Sequence, residues 1–190
     1  MALVLDGKAH AARVLDELSL VTNTIKSDGI VPKLHVLLIG DDPASQIYVR
    51  TKAKRAERVG IRSEITRLPE STSAEEILAR IATLNEDSDT DGILVQLPLP
   101  GLPTRVILDA VTPDKDVDGF HPVNAGLLAQ RRPGLISCTP LGVISLLDAH
   151  DIQIEGRNAL VVGRSDIVGK PMATLLTHRN ATVTIAHSRT

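Results

Sequence analysis

The chain has 190 residues, enough to bury one large core or two small ones. Twenty-one basic side chains stand against twenty-three acidic ones, and Tyr48 and Phe120 are the only aromatics, which argues against a nucleic-acid surface or a base-stacking platform. A single cysteine, Cys138, excludes an intrachain disulfide framework, no apolar run reaches membrane-spanning length, and MALVLDGKAH lacks a secretory pattern; a cytoplasmic α/β protein is expected.

From the amino end, residues 8–27 place Val14, Leu15, Leu18, Val21 and Ile25 at helical spacing, and Gly29 closes the segment. KLHVLLIG (33–40) is an apolar run of strand length ending in glycine. Residues 43–60 open on proline, carry good helix formers and end in glycine, which predicts a helix. IRSEITRL (61–68) alternates as a strand does. Residues 71–87 are predicted helical, with Ser73 and Glu76 at capping-box spacing. GILVQL (92–97) suits a strand covered on both faces, and Pro98, Pro100 and Pro103 end its pairing. This alternation of strands and helices implies a parallel sheet between helices, an N-terminal three-layer α/β domain.

Residues 112–126, TPDKDVDGFHPVNAG, read as a loop, and 138–151 as a helix. A strand over 157–162, a glycine-bearing turn, a helix from about Ile167 and a strand over 181–186 compose a second βαβ unit. That unit is the start of a Rossmann-like dinucleotide-binding domain. The boundary falls near 148, giving domains 1–148 and 149–190. One βαβ unit leaves apolar strands with an open edge, so the second domain is expected to be incomplete.

Gln96 is a lone amide at the carboxyl end of a buried-type strand, the end at which open α/β sheets bind ligands. Tyr48 and Lys52, four apart on the helix after Gly40, share a face near the same edge. Tyrosine, lysine and amide together can handle a proton, because desolvation or a nearby cation moves lysine toward its basic form. Spacing alone favours a plainer reading, with Lys52 one of several cations of RTKAKR on a solvated face. Asp114, Asp116 and Asp118 alternate like calcium ligands, yet no glutamate closes the loop, so no metal is assigned. Asp118 before Gly119 suits either a two-pronged hydrogen bond to a planar amino-heterocycle or an acidic turn.

VVGRSDIVGKP (161–171) stands where a dinucleotide fingerprint belongs, but Ser165 replaces the second glycine and Gly169 comes late. The second strand exits into HSRT rather than an acid. Arg164, Ser165, His187, Ser188 and Arg189 therefore point to the 2′-phosphate of NADP. The alternative for Gly163 is a tight-turn residue alone.

Taken in order, YVRTKAK (48–54), VQLPLP (95–100), DKDVDGFHPVNAG (114–126), CTP (138–140), GRSDIVGKP (163–171) and HSRT (187–190) resemble the bifunctional methylenetetrahydrofolate dehydrogenase/cyclohydrolase family. The resemblance covers nearly the whole chain. It implies that Lys52 is the proton-handling residue of a folate site, with Tyr48 lining the pterin, Gln96 contacting the lysine and Asp118 anchoring the pterin amino group. Gly163, Arg164, Ser165, Ile167, Gly169, His187, Ser188 and Arg189 would bind NADP. It further implies oxidation of 5,10-methylenetetrahydrofolate, hydrolysis of the methenyl product to 10-formyltetrahydrofolate, and a homodimer with no membrane or nucleic-acid partner. Two departures stand out. Ser137 occupies the place where the family ordinarily has proline before Cys-Thr-Pro, and the family continues for roughly another hundred residues, an ordinary domain's length. The alternatives are a folate-binding or dimerising fragment without turnover, and an NADP oxidoreductase of another substrate.

Overall fold

The structure, a computed structural model, describes residues 2–190. Its packing divides the chain into two compact units, Ala11–Asp116 and Val117–Thr190 together with the residues up to His10. Helix α1 (Gly7–Ser27) starts at Asp6, whose carboxylate accepts the Lys8 and Ala9 amides at 3.0 and 2.9 Å.

In the first unit α1 is followed by β1 (Lys33–Ile39), α2 (Pro43–Arg58), β2 (Arg62–Leu68), α3 (Ala74–Glu86), β3 (Gly92–Val95) and the short α4 (Thr104–Asp109). The strands run parallel in the order β2-β1-β3, with Lys33 beside Arg62 and Leu34 beside Gly92. Every residue of central β1 from His35 to Ile39 is buried. Alternation sends Leu37 and Ile39 into a core with Ile77 and Ile81 of α3 and Ile107 of α4. Val36 and Leu38 point the other way, toward the face on which α2 buries Val49 and Ala56. Two-sided burial explains why β1 and β3 are nearly unbroken apolar runs. Each fully buried isoleucine contributes about 1.5–3 kcal/mol of transfer free energy.

Both helix starts carry the caps their sequences announce. The Asp42 carboxylate accepts the Ser45 amide at 2.7 Å with Pro43 at the first helical position of α2, and the Ser73 hydroxyl accepts the Glu76 amide at 3.2 Å. Toward the amino end of the sheet, buried His35 pairs Nε2 with the Thr66 hydroxyl at 2.8 Å. Its Nδ1 lies 3.9 Å from Glu64.

The second unit holds α5 (Pro122–Ala129), α6 (Cys138–Asp148), β4 (Asn158–Val162), α7 (Gly169–His178) and β5 (Thr182–Ala186). β4 and β5 pair in parallel from Asn158–Thr182 to Val162–Ala186. Leu128 of α5 and Ile144 of α6 share a core with Met172, Leu175 and Leu176 of α7, closed by Ala159, Val161 and Val183. That shared core groups residues 117–148 with the β4–β5 sheet, so the packing divides earlier than the boundary near 148. The outer face of β4 is open: Leu160 and Val162 are 64% and 81% exposed.

Two local expectations need correction. The loop expected over 112–126 contains a 3-10 turn, Pro113–Lys115, and the first five residues of the eight-residue α5. There Pro122 opens the helix and His121 Nδ1 accepts the Val123 amide at 3.1 Å, a proline-led start that the turn-rich composition masks. Helix α7 begins at Gly169 rather than Ile167, because the Ser165 hydroxyl takes the Val168 and Gly169 amides at 3.1 and 3.2 Å and holds the intervening residues in a turn.

Candidate active site and dinucleotide turn

In the first unit, the carboxyl edge of the sheet carries a short polar chain. Gln96 follows β3 directly and continues the ladder by one bond, its amide donating to Leu37 O at 2.9 Å. Its side-chain Nε2 donates to Leu97 O at 2.6 Å, which leaves Oε1 to accept from Lys52 Nζ at 3.2 Å. The amide orientation is thus set by its neighbour carbonyl. Lys52 sits on α2, half-buried, with Tyr48 one turn earlier and 63% exposed. A lysine with one N–H held by a neutral acceptor, at a strand's carboxyl edge, is suited to exchanging a proton with a bound molecule.

Two residues of this edge do not stand out in the sequence. Ser45, buried in the first turn of α2, lies with its hydroxyl 3.4 Å from the same Leu97 O. Hydrogen bonds from the Ser45 side chain and amide hold the Asp42 carboxyl below the usual range. An Asp-Pro helix start was the signal available for both.

In the second unit, Asp118 is half-buried in a turn with Gly119. Gly119 has φ +67°, and a Cβ there would fall 2.5 Å from Ile136 C and 2.6 Å from Ser137 N. Only glycine fits that approach. Buried backbone therefore fixes the turn that presents Asp118.

The β4–α7 connection lies at the carboxyl end of β4. Gly163 leaves the strand with φ +128° and its amide on Ala186 O at 2.8 Å. No atom lies within 4 Å of where its Cβ would be, so a ligand can approach the backbone closely. Gly169 has the other glycine task. Its Cβ would meet Gly163 O at 2.4 Å and Arg164 N at 2.8 Å, so its absence lets α7 pack directly on the turn. Ser165 caps that turn, and the Ile167 carbonyl accepts from the Ser137 hydroxyl. Arg164, Ser188 and Arg189 are exposed around these strand ends. His187 is half-buried; its amide donates to the Thr190 hydroxyl at 2.8 Å, and its Nδ1 accepts the Arg189 amide at 3.1 Å. An open glycine cradle, two exposed arginines and a strand exit without an acid fit a phosphorylated dinucleotide.

Among the described residues no group of three His, Cys, Asp or Glu is placed to hold a metal ion, and no helix is long and apolar enough to cross a membrane.

These features define an α/β protein with a lysine–amide site on one parallel sheet and a dinucleotide-type strand–turn–helix on another. The chain belongs to the tetrahydrofolate dehydrogenase/cyclohydrolase family: the family's catalytic-domain model matches residues 5–118 and its NAD(P)-binding-domain model residues 137–190. It is 48% identical over 191 aligned positions to the bifunctional protein FolD of Lacticaseibacillus casei, covering all of this chain and 68% of that protein. The crystal structure of the bifunctional FolD enzyme from Campylobacter jejuni superposes with a TM-score of 0.97 at 48% identity, over 99% of this chain and 67% of that one. The Trypanosoma brucei dehydrogenase-cyclohydrolase, solved with NADP and an inhibitor, superposes at 0.94 and 36% identity over 100% and 65%. The chain thus spans about two thirds of the length of these relatives.

Proposed function

We propose that this chain binds tetrahydrofolate substrates and NADP, oxidises 5,10-methylenetetrahydrofolate and hydrolyses the methenyl product to 10-formyltetrahydrofolate. The observation that carries the reading is the Lys52–Gln96 hydrogen bond at the carboxyl edge of β3. NADP, when bound, supplies the acceptor for the hydride that leaves the methylene carbon.

The methenyl product is a cation whose one-carbon centre is open to attack by water. With one N–H donated to Gln96, the neutral amine offers its lone pair to the attacking water. Water adds to the methenyl carbon and Lys52 takes its proton. The bond from that carbon to N5 then breaks as the carbon becomes a formyl group, with the hydroxyl proton passing to N5. In this reading Tyr48 lines the pterin, and the Asp118 carboxylate accepts the pterin amino group. Gly163 and Gly169 shape the dinucleotide turn with Ser165 and Ile167, while Arg164, His187, Ser188 and Arg189 serve the phosphate end. A cytoplasmic homodimer is part of the same proposal.

A second reading, binding without turnover, is favoured by the uncovered apolar face of β4. Assaying methenyl-folate hydrolysis and NADPH formation on this chain separates the two. Both activities support the first reading; tight binding of tetrahydrofolate and NADP with neither activity supports the second.

A further inference from the structure

Ile136, Ser137 and Cys138 touch both loops that the proposed function assigns to different ligands. On one side, Ile136 and Ser137 supply the backbone against which Gly119 packs, and the Cys138 thiol donates to Val117 O at 3.3 Å. These contacts seat the Asp118 turn. On the other side, the Ser137 hydroxyl donates to the Ile167 carbonyl, inside the turn between Gly163 and Gly169. Ser137 is only 2% exposed, so its hydroxyl is not exchanging this partner for water. The rest of the turn is held by its own Ser165 cap and by the Gly169 contact on Gly163. Ser137 is thus a side-chain fastener reaching the turn from a segment outside it.

We propose that Ser137 is a positioning residue for the dinucleotide turn, and that residues 136–138 couple that turn to the Asp118 loop. The inference rests on the assignment of Asp118 to folate and of the 163–169 turn to NADP. A loop ordered by one ligand stiffens the shared segment, which lowers the ordering cost for the second ligand. The sign is positive cooperativity, and linkage requires it to be equal in both directions.

The test is calorimetric titration of the whole chain with NADP, with and without saturating tetrahydrofolate, and the converse. Wild type should bind each ligand about fivefold or more tightly in the presence of the other. Ser137→Ala should weaken NADP roughly three- to tenfold, as loss of one buried hydrogen bond implies, and bring the coupling close to unity. Ser137→Thr, which keeps the hydroxyl, should restore it. A merely structural role would lower the melting temperature and both affinities while leaving the coupling ratio unchanged, and that result overturns the proposal. Should the alanine variant fail to fold, Ser137→Cys keeps the volume with a weaker donor, and its coupling must fall between wild type and unity. Wild-type binding of both ligands without coupling sinks this inference alone. Failure of wild type to bind either ligand removes the functional reading beneath it as well.

Discussion

Gly169→Ala tests whether the close packing of α7 on the β4 turn holds the dinucleotide site together. The added methyl would stand 2.4 Å from Gly163 O, 2.6 Å from Gly163 C and 2.8 Å from Arg164 N. All three are backbone atoms, so no side chain can rotate away. Relieving the worst contact needs a displacement of about half an ångström or more, and well-packed interiors resist such shifts. Gly169 is itself buried, beside Pro171, Met172 and Ala173 in the same helix. Overpacking of this kind costs about 1–3 kcal/mol, to which a bent turn adds the loss of the hydrogen bonds that the Ser165 hydroxyl accepts, about 1 kcal/mol. A total near 2–4 kcal/mol lowers the melting temperature by about 4–16 °C for a chain of this size. Thermal denaturation followed by circular dichroism reads the stability, and NADP titration reads the turn. Both should fall. A variant that melts within a degree of wild type and keeps its NADP affinity would refute the packing argument.

Arg164→Ala should reduce NADP affinity while sparing NAD, because a charge-assisted contact of roughly 1.5–3 kcal/mol exists only when the 2′-phosphate is present; parallel losses in titrations of both cofactors would mean the arginine shapes the turn. Asp118→Ala should weaken tetrahydrofolate and leave NADP affinity nearly unchanged, and an equal loss for both would make Asp118 structural. Burial, partly offset by Glu64, pushes the His35 pKa below its ordinary value. Its contribution to stability is therefore full above the unfolded value near 6.5 and is lost as pH falls through the lower folded value. His35→Gln should flatten the fall in melting temperature between about pH 7 and pH 5; an unchanged slope would assign that fall to other groups.

Much of this architecture is legible because it rests on local rules. Val36–Ile39 and Ile93–Val95 must be covered on both faces, and Pro43 and Ser73 announce helix starts through capping chemistry. Spacing alone leaves Lys52 on a solvated face, and its contact with Gln96 is legible only through the family resemblance. Contacts made across the chain left weaker traces. α4 has six residues, and Ile107 holds it in a core assembled from distant strands. α5 hides in a turn-rich stretch, and its Leu128 finds its partners on α7. The grouping of 117–148 with the β4–β5 sheet follows from that same core. Ser137 stands out in the sequence only as a departure from the family pattern, since nothing local indicates that its hydroxyl reaches Ile167. Ser165 interrupts the glycine pattern, and its two accepted amides explain why α7 starts late.

In the proposed function Lys52, held by Gln96, moves the proton in methenyl hydrolysis. The most direct measurement is the rate of methenyltetrahydrofolate hydrolysis by wild type and Lys52→Met, with melting temperature and NADP affinity measured alongside. Methionine keeps an apolar stem of similar length and removes the amine. Hydrolysis should fall about a hundredfold or more, the scale of general acid–base catalysis, with fold and NADP binding unchanged. Hydrolysis at the wild-type rate in a folded Lys52→Met protein would contradict this role for the lysine.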